Sequence, residues 1–168
     1  VLASESKTGT NVGDSGTVTA SITGQANYTD VSGTATLTIN KASSTTLTVG
    51  ADPFTYDGTS HRGGSGTVTG VGGLSVGATS LTYSGDQVNA GSYTVTAHYE
   101  GDANHFGSDG EAVTIVIAQA TATVTVNEYT GTYDGAAHTA GVTITGVDGA
   151  VLASESKTGT NVGDSGTV

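Results

Sequence analysis

The sequence predicts an all-β protein made of tandem small domains, and three observations lead to that prediction. Thr, Ser and Gly, with Gly at 27 of 168 positions, accompany Val, Ile and Ala, a composition that suits strands joined by tight turns. Apolar and polar residues alternate with a period of two, the pattern of a strand with one buried face. The chain also repeats its own sequence. We therefore expect small Ig-like β-sandwich domains, or alternatively β-grasp-like modules, in an elongated array.

The larger repeat is identical in both copies, since residues 1–18 and 151–168 both read VLASESKTGTNVGDSGTV, which gives a period of 150 residues. An older repeat lies inside it. Residues 54–61 (FTYDGTSH) match 131–138 (GTYDGAAH), and the GQANYTD and GDANHFG segments are also 77 positions apart. Repeat arrays fold as units linked in series. One period therefore holds two diverged domains of about 75 residues each, within the usual range for small domains.

Six segments carry the alternating pattern, and Gly, Asn and Asp clusters separate them about every ten residues, as in a sandwich. We expect the apolar members of each segment to face a core, with the residues between them pointing outward. In chain order these apolar sets are Val18, Ala20 and Ile22; Ala35, Leu37 and Ile39; Tyr93, Val95, Ala97 and Tyr99; Val113, Ile115 and Ile117; Ala122, Val124 and Val126; and Val142 with Ile144.

The two repeats predict three segments along the chain. Residues 1–42 form the C-terminal part of a split domain, residues 43–120 a complete domain, and residues 121–168 the N-terminal part of the next. The connectors are short, and an extended residue spans only about 3.3 Å, so neighbouring domains should touch and form a semi-rigid rod. Two explanations fit the split: a window cut from a longer array, or head-to-tail strand complementation between copies.

Charge and composition exclude several classes of function. Fifteen acidic residues against four basic ones give a net charge of −11, and nucleic-acid binding depends on Lys and Arg that displace counterions. No stretch approaches the roughly 18 apolar residues that cross a membrane. The chain has no cysteine, which decides little about its compartment. The acidic surface is typical of a soluble extracellular protein whose copies repel one another.

The TYDG motifs and the run YEGDANH at residues 99–105, with closing strands that end in Lys-Ala or Gln-Ala, resemble the MBG/YDG-type repeats. This resemblance covers the whole chain. It implies Ig-like or β-grasp-like modules strung along large bacterial surface proteins, which act as stalks, adhesins or filaments without an enzymatic activity. The split domain departs from the pattern, because Gln25 stands where the complete domain has Asp102, and Tyr28 where it has His105.

Each TYDG motif is expected to be a turn. The tyrosine, Tyr56 or Tyr133, can lie over the core while the following aspartate accepts backbone N–H groups and the glycine takes a left-handed conformation. His61 and His138 occupy matching positions three residues after the glycine. A hydrogen bond to a neighbouring loop suits them better than a metal, because two equivalents in different domains cannot share one ion.

Calcium is the one cofactor that the sequence suggests. Asp102, Asn104, Asp109 and Glu111 place side-chain oxygens within ten residues, and Ca²⁺ takes six to eight oxygen ligands. The spacing lacks the EF-hand pattern, and an Asx-type hairpin turn explains the same residues without a metal. We therefore expect no cofactor, with these four residues as the calcium candidates.

No residue pattern suggests catalysis. His98 and Glu100 should share the outer face of one strand, with His105 nearby, but a catalytic pair also needs a cleft and perturbed pKa values. The partners that we expect are neighbouring copies of the same repeat, head to tail, at the cell surface. An adhesive module that binds glycan or a cell-surface protein is the alternative, with loop residues such as Arg62 and His105 as its candidate contacts.

Overall fold

The computed structural model describes residues 6–166 of the chain. Residues 1–5 and 167–168, the outer ends of the first and third predicted segments, lie outside the described residues. Strands dominate, and the helical content of this part of the chain consists of three short 3-10 turns, Val12–Asp14, Val71–Gly73 and Val162–Asp164. The all-β prediction is confirmed. No helix between residues 6 and 166 has the length and hydrophobicity to cross a membrane.

The strands of the described residues form four sheets. Their orders are β1-β2, β3-β5-β6, β11-β12-β13, and β4-β10-β8-β7 with β9 also paired to β8. The bounds are β1 Gly16–Ile22, β2 Val31–Leu37, β3 Ser44–Val49, β4 Phe54–Thr55, β5 Ser65–Gly70, β6 Ser75–Gly77, β7 Ser80–Ser84, β8 Gly91–Gly101, β9 Phe106–Asp109, β10 Val113–Ala118, β11 Thr123–Asn127, β12 His138–Thr145 and β13 Val151–Gly159.

The chain divides into two compact units. The first comprises residues 6–50 with Gly64–Tyr83 and Val95–Val113, and the second comprises Ala51–Gly63, Ser84–Thr94 and residues 114–166. Both units draw on the middle of the chain. The division into segments 1–42, 43–120 and 121–168 therefore stays a prediction from the repeats.

In the first unit, β1 and β2 form an antiparallel hairpin that pairs Gly16 with Leu37 and Ile22 with Val31. The strands β3 and β5 pair antiparallel in the same unit. The buried apolar side chains of this unit are Val68, Val95, Ala97 and Tyr99. Val68 lies on β5, whereas Val95, Ala97 and Tyr99 alternate along β8 and form its buried face, because successive side chains of a strand point to opposite sides.

The strand β3 buries threonines instead of its apolar residues. Thr46 and Thr48 are 7% and 5% exposed, whereas Leu47 is 61% exposed. The Thr48 Oγ1 accepts a hydrogen bond from the Ala97 amide at 3.1 Å, and the Thr46 Oγ1 donates to the Ser108 carbonyl at 3.0 Å. Buried hydroxyls are tolerated when they are hydrogen-bonded. These two contacts let the polar face of β3 point inward.

In the second unit, β12 pairs antiparallel with both β11 and β13. The short strand β4 pairs in parallel with β10, with Phe54 opposite Ile117. Tyr93, Ile115 and Ile117 are the buried apolar side chains of this unit.

The burial of the predicted apolar sets differs from strand to strand. The prediction is confirmed for Tyr93, Val95, Ala97 and Tyr99, which are all buried, and for the buried pair Ile115 and Ile117, with Val113 half-buried. Val18, Ile22, Leu37, Ile39, Val142 and Ile144 are half-buried.

The prediction is wrong for Ala20 and Ala35, which are exposed, and for Val124 and Val126 of β11, which are 59% and 57% exposed. Ala122, which precedes β11, is half-buried. The physical reason is that an alternating strand becomes half-buried only when a second layer covers its apolar face. Nothing in the described part of the chain covers that face of β11.

Candidate interface site at the 101–105 turn

The turn at residues 101–105 is organised around the carboxylate of Asp102. Its Oδ1 accepts hydrogen bonds from the amides of Asn104 and His105, both at 2.7 Å. Gly101 has a φ of +92°, a left-handed conformation that favours glycine. The Asp102 amide donates to the His105 carbonyl at 3.1 Å, which closes the turn. The expected Asx-type hairpin turn is present.

His105 joins this turn to another loop. Its ring is buried, with the residue 8% exposed. Nδ1 lies 2.9 Å from the Asp102 Oδ1, and Nε2 lies 3.0 Å from the Val71 carbonyl oxygen. Both partners are acceptors, so both ring nitrogens must carry a hydrogen, and the site fits the imidazolium form. The hydrogen bond to Asp102 and the contact with the Val71 carbonyl accordingly raise the pKa of His105.

The titration of Asp102 is shifted in the opposite direction. Burial alone raises the pKa of this carboxyl group, but hydrogen bonds from the Asn104 amide, the His105 side chain and the Tyr99 hydroxyl outweigh it and lower the pKa to about 2. The Tyr99 hydroxyl donates to the Asp102 Oδ2 at 2.9 Å. Burial and this carboxylate raise the pKa of Tyr99. Asp102 thus remains ionised across the physiological range.

The side chain of Asn104 contacts the loop at residues 10–15. Its Oδ1 accepts a hydrogen bond from the Val12 amide at 2.9 Å. Its Nδ2 donates to the Asn11 Oδ1, also at 2.9 Å. One carboxamide therefore satisfies both a backbone donor and a side-chain acceptor of the loop. We call this pair of hydrogen bonds the Asn104 clamp.

The connector before β3 is fixed to the same turn. The Ala42 amide donates to the Asn104 carbonyl at 2.8 Å, and the Phe106 amide donates to the Ala42 carbonyl at 2.8 Å. The Lys41 ammonium group donates to the Asp102 carbonyl. The hydrogen bonds of Ala42 and Lys41 thus fix the connector between the first and second predicted segments to the 101–105 turn. The Asn104 clamp fixes the loop at residues 10–15 to the same turn.

The equivalent turn of the older repeat, residues 24–30, is built differently. Gln25 replaces Asp102, and here the Gly24 amide donates to the Asp30 Oδ1 at 2.8 Å. Tyr28, at the position of His105, is 73% exposed. The departure noted in the sequence therefore removes both the buried histidine and its carboxylate partner.

The two TYDG motifs form turns as predicted. Asp57 accepts the Thr59 amide and Asp134 accepts the Ala136 amide, each at 2.8 Å, and the following glycines have φ of +82° and +80°. Hydrogen bonds from Thr59 lower the pKa of Asp57. The turn role of the motif is confirmed.

The aromatic and histidine side chains of these turns depart in part from prediction. Tyr133 is 64% exposed, so it does not cover a core, whereas Tyr56 is half-buried and its hydroxyl donates to the Asp148 Oδ2 at 3.2 Å. His61 and His138 each lie 3.0 Å from the aspartate of their own turn. The backbone amide of His61 donates to the carbonyl of Gln87, in a neighbouring loop, at 2.8 Å.

The four calcium candidates have the following surroundings. Asp102 and Asn104 make the contacts described above, Asp109 Oδ1 lies 2.8 Å from the His98 Nδ1, and Glu111 is exposed. Across residues 6–166, no group of three or more His, Asp or Glu side chains has an arrangement that could hold a metal ion. The oxygens of Asp102 already have hydrogen-bond donors as partners, so they are poor calcium ligands here.

The two residues considered for acid–base chemistry, His98 and Glu100, each have other hydrogen-bond partners. His98 lies on β8 with Nε2 2.6 Å from the Thr82 Oγ1 and Nδ1 against Asp109. Glu100 is exposed, and its amide donates a hydrogen bond to the Thr79 Oγ1 at 3.1 Å. His105, expected near this pair, is buried with both ring nitrogens engaged. It is therefore also a poor candidate for an adhesive contact.

An open groove of about 350 Å³ lies within the second unit. Its walls include Tyr129, Tyr133, Asp134, His138 and Lys157. The rings of Tyr129 and His138 are stacked, with centroids 4.0 Å apart and planes at 7°. The stacked rings give the groove a flat aromatic wall.

Sequence reasoning missed Asn11 and Val12 as partners of Asn104, and it missed the inward-facing Thr46 and Thr48. No local pattern indicates the first pair, because Val12 and Asn104 are 92 positions apart. No signal in the sequence distinguishes the buried threonines from exposed ones. No protein-family model matches this chain, and no curated protein or solved structure matches it either.

Proposed function

We propose that this chain is a structural tandem-repeat segment of an extracellular bacterial fibre, filament or adhesin stalk. It acts as a semi-rigid spacer of Ig-like or β-grasp-like modules that holds a distal element away from the cell surface. Repetition supports this proposal, because copying a 150-residue period changes length without requiring a new site.

The observation that carries the proposal is the set of hydrogen bonds around the predicted boundary at residue 42. The Asn104 clamp, the Ala42 backbone pair and Lys41 fix the connector to the 101–105 turn. A flexible linker would leave these backbone groups in water. A connector held by several hydrogen bonds within one compact unit is stiff, which is what a spacer needs.

Polymerisation by strand complementation belongs to the same proposal. Residues 121–150 of one molecule would be completed by residues 1–42 of the next, which gives an open head-to-tail filament. The exposed Val124 and Val126 of β11 support this proposal, since a covering layer would remove apolar surface from water.

Small-angle X-ray scattering on chains of one, two and three joined 150-residue periods tests the spacer function. We expect the maximum dimension to increase in proportion to the number of periods. The matched variant carries Asn104→Ala in every copy and should show a broader distribution of dimensions at unchanged secondary structure. A compact particle whose dimension grows only as the cube root of mass contradicts the proposal.

An adhesive module is the second candidate, and the groove beside the stacked Tyr129 and His138 favours it. A glycan array probed with the wild-type chain and with Tyr129→Ala tests this function. Tyr28→Ala is the control, because Tyr28 is exposed and does not line the groove. Binding that is lost in Tyr129→Ala and kept in Tyr28→Ala supports adhesion, whereas no binding across the array argues against glycan recognition.

A further inference from the structure

Tyr56, of the first TYDG turn, lies beside the connector at residues 119–122, which joins β10 to β11 in the second unit. The Tyr56 amide donates to the carbonyl of Ala118 at 2.9 Å, so the parallel pairing of β4 with β10 continues to the last residue of β10. Tyr56 itself is half-buried. The strand that leads into the connector therefore fixes the backbone of Tyr56.

The loop at residues 146–150 lies where the same connector ends. This loop joins β12 to β13, and Thr145, the last residue of β12, pairs with Thr123, the first residue of β11. Within the loop, the Asp148 Oδ1 accepts a hydrogen bond from the Ala150 amide at 3.1 Å. The carboxylate is therefore held by its own turn, at the edge of the sheet that follows the connector.

A hydrogen bond joins these two elements, since the Tyr56 hydroxyl donates to the Asp148 Oδ2 at 3.2 Å. The negative charge of Asp148 and this hydrogen bond raise the pKa of Tyr56, so the hydroxyl keeps the proton that it donates. The hydrogen bond and the covalent connector span the same gap, from the end of β10 to the edge shared by β11 and β12. Closing a loop of chain removes conformations that the open loop could adopt, so two links restrict bending more than one.

The glycines of the two TYDG turns show that this contact is specific to the first turn. At Gly58, with a φ of +82°, an added Cβ would lie 3.1 Å from the Asp148 Cβ, so the turn and the loop approach each other closely. At Gly135, with a φ of +80°, the nearest atom to such a Cβ among the described residues is the Tyr133 hydroxyl oxygen of the same turn, at 4.0 Å. The close approach is therefore an additional feature of the first turn and does not follow from the TYDG motif alone.

We propose that Tyr56 is a positioning residue whose hydrogen bond to Asp148 fixes the sheet β11-β12-β13 relative to β10. We call this hydrogen bond the Tyr56 brace. The inference rests on the proposed spacer function and names the contact that stiffens the chain at the second predicted boundary, after residue 120. The first boundary is held at the 101–105 turn instead, so the two boundaries are stiffened by different residues.

Distances between two spin labels measure the brace in the full chain. The chain has no cysteine, so Val116→Cys on β10 and Leu152→Cys on β13 place one label on each side of the connector. Both positions are exposed, at 44% and 61%. Electron–electron double resonance then gives the distribution of distances between the labels, and circular dichroism checks that each variant keeps its strand content.

Tyr56→Phe removes the hydroxyl and keeps the ring, and Tyr133→Phe is the matched control in the other TYDG turn. We expect the ratio of molecules at the main distance to molecules away from it to fall about fivefold in Tyr56→Phe, the usual effect of losing one hydrogen bond. Tyr133→Phe should leave the distribution unchanged. Equal broadening in both variants, or broadening in neither, overturns the inference.

Substitutions of Asp148 test the brace from its other side. Asp148→Asn keeps a polar group toward the Tyr56 hydroxyl, which can accept as well as donate, so it should retain the narrow distribution. Asp148→Ala should broaden the distribution as Tyr56→Phe does. The combination of Asp148→Ala with Tyr56→Phe should add no further broadening, because both substitutions remove the same hydrogen bond. Additive broadening in the double variant overturns the inference.

The spacer function is judged by a different measurement, the scattering of joined periods. Linear growth of the maximum dimension, together with an unchanged label distribution in Tyr56→Phe, supports the spacer and overturns the brace. A compact particle together with a broadened distribution in Tyr56→Phe contradicts the spacer and supports the brace.

Discussion

The loops at residues 10–15 and 160–165 are identical in sequence, yet they lie in different surroundings. Both are closed by an aspartate that accepts two preceding amides. In the first loop the Ser15 Oγ accepts the Ile39 amide at 2.8 Å, whereas in the second the Ser165 Oγ donates to the Val162 carbonyl within the loop. The shape of this loop is therefore set by hydrogen bonds within it, whereas its contacts with other segments depend on its surroundings.

The residues just before the two loops differ even more. Residues 156–159 belong to β13 and pair with β12, with Gly159 opposite His138. The same residues in the first copy, 6–9, are not in a strand. A strand needs a neighbour for its backbone groups, and β12 is the neighbour of residues 156–159. Sequence identity therefore fixes the loop but not the strand.

The largest effect should come from removing the turn that occupies the first loop. In Gly101→Ala, the new Cβ would lie 2.8 Å from the Gly107 nitrogen and the His105 oxygen, at a φ of +92°. We expect a loss of about 2–4 kcal/mol, the range for strain combined with a backbone overlap. Urea unfolding followed by circular dichroism measures this loss.

Gly24→Ala is the control for that substitution. Gly24 has a φ of +66° with nothing within 4 Å of the added Cβ, so only the conformational cost of about 1 kcal/mol remains. Equal losses in the two variants would mean that the close backbone contacts at Gly101 are unimportant.

Asn104→Ala should make the hydrogen-exchange rates of the Val12 and Val162 amides similar. It should destabilise the fold less than Gly101→Ala does. The Val12 amide loses its partner, which costs about 1–3 kcal/mol for a part-buried donor. Hydrogen exchange at Val12 should rise to the rate seen at Val162, while exchange at Val162 stays unchanged. Asn27→Ala, in the equivalent turn of the older repeat, is the control and should leave both rates as they are.

A smaller effect is expected from the two serines that follow the 3-10 turns. Ser15→Ala removes a hydroxyl that bonds both the amide and the carbonyl of Ile39, and we expect a loss of about 1 kcal/mol. Ser165→Ala removes only a contact within an exposed loop and should change stability by less than about 0.5 kcal/mol. Thermal unfolding of the two variants side by side measures the difference in stability. A larger loss of stability in Ser165→Ala than in Ser15→Ala would contradict this prediction.

The smallest effect should be the pH dependence of the Asn104 clamp. The pKa of His105 is raised in the folded chain, so its stabilisation is fully present below the unfolded value of about 6.5 and is lost as pH rises through the folded value. The pKa of Asp102 is lowered to about 2. Its contribution is therefore present above about 3.9 and is lost as pH falls toward the folded value.

Hydrogen exchange at Val12 and Val162 between pH 5 and pH 8 measures this dependence, after correction for the intrinsic effect of pH on exchange. Protection at Val12 should decrease toward pH 8, whereas Val162 should show no such change. His105→Asn should abolish the decrease at Val12. If the decrease persists in that variant, His105 is not the group that titrates.

Much of the fold could be predicted from local pattern. The alternation in β8 correctly predicted that Tyr93, Val95, Ala97 and Tyr99 are buried. Alternate residues of a strand lie on the same face, so these four side chains are buried together. The same reasoning failed for β11, where Val124 and Val126 are exposed. Periodicity identifies a face, but burial requires a second layer, which is a property of distant residues.

The candidate site was only partly predictable. The Asx turn at residues 101–105 and the TYDG turns follow from short-range hydrogen bonds that aspartate makes with the next few amides. The pairing of Asn104 with Val12 spans 92 positions, and no local pattern indicates it. The same holds for the contact between the His105 ring and the Val71 carbonyl.

The sequence by itself determined the internal shape of the TNVGDS loop, because Asp14 and Asp164 reach amides only three and four residues away. In both copies these hydrogen bonds lower the pKa of the aspartate. Tertiary structure alone decided that Asn104 clamps Val12 and that residues 156–159 pair with β12. Hydrogen bonds between residues a few positions apart form wherever that sequence occurs. Contacts between distant segments form only where the fold brings the two segments together.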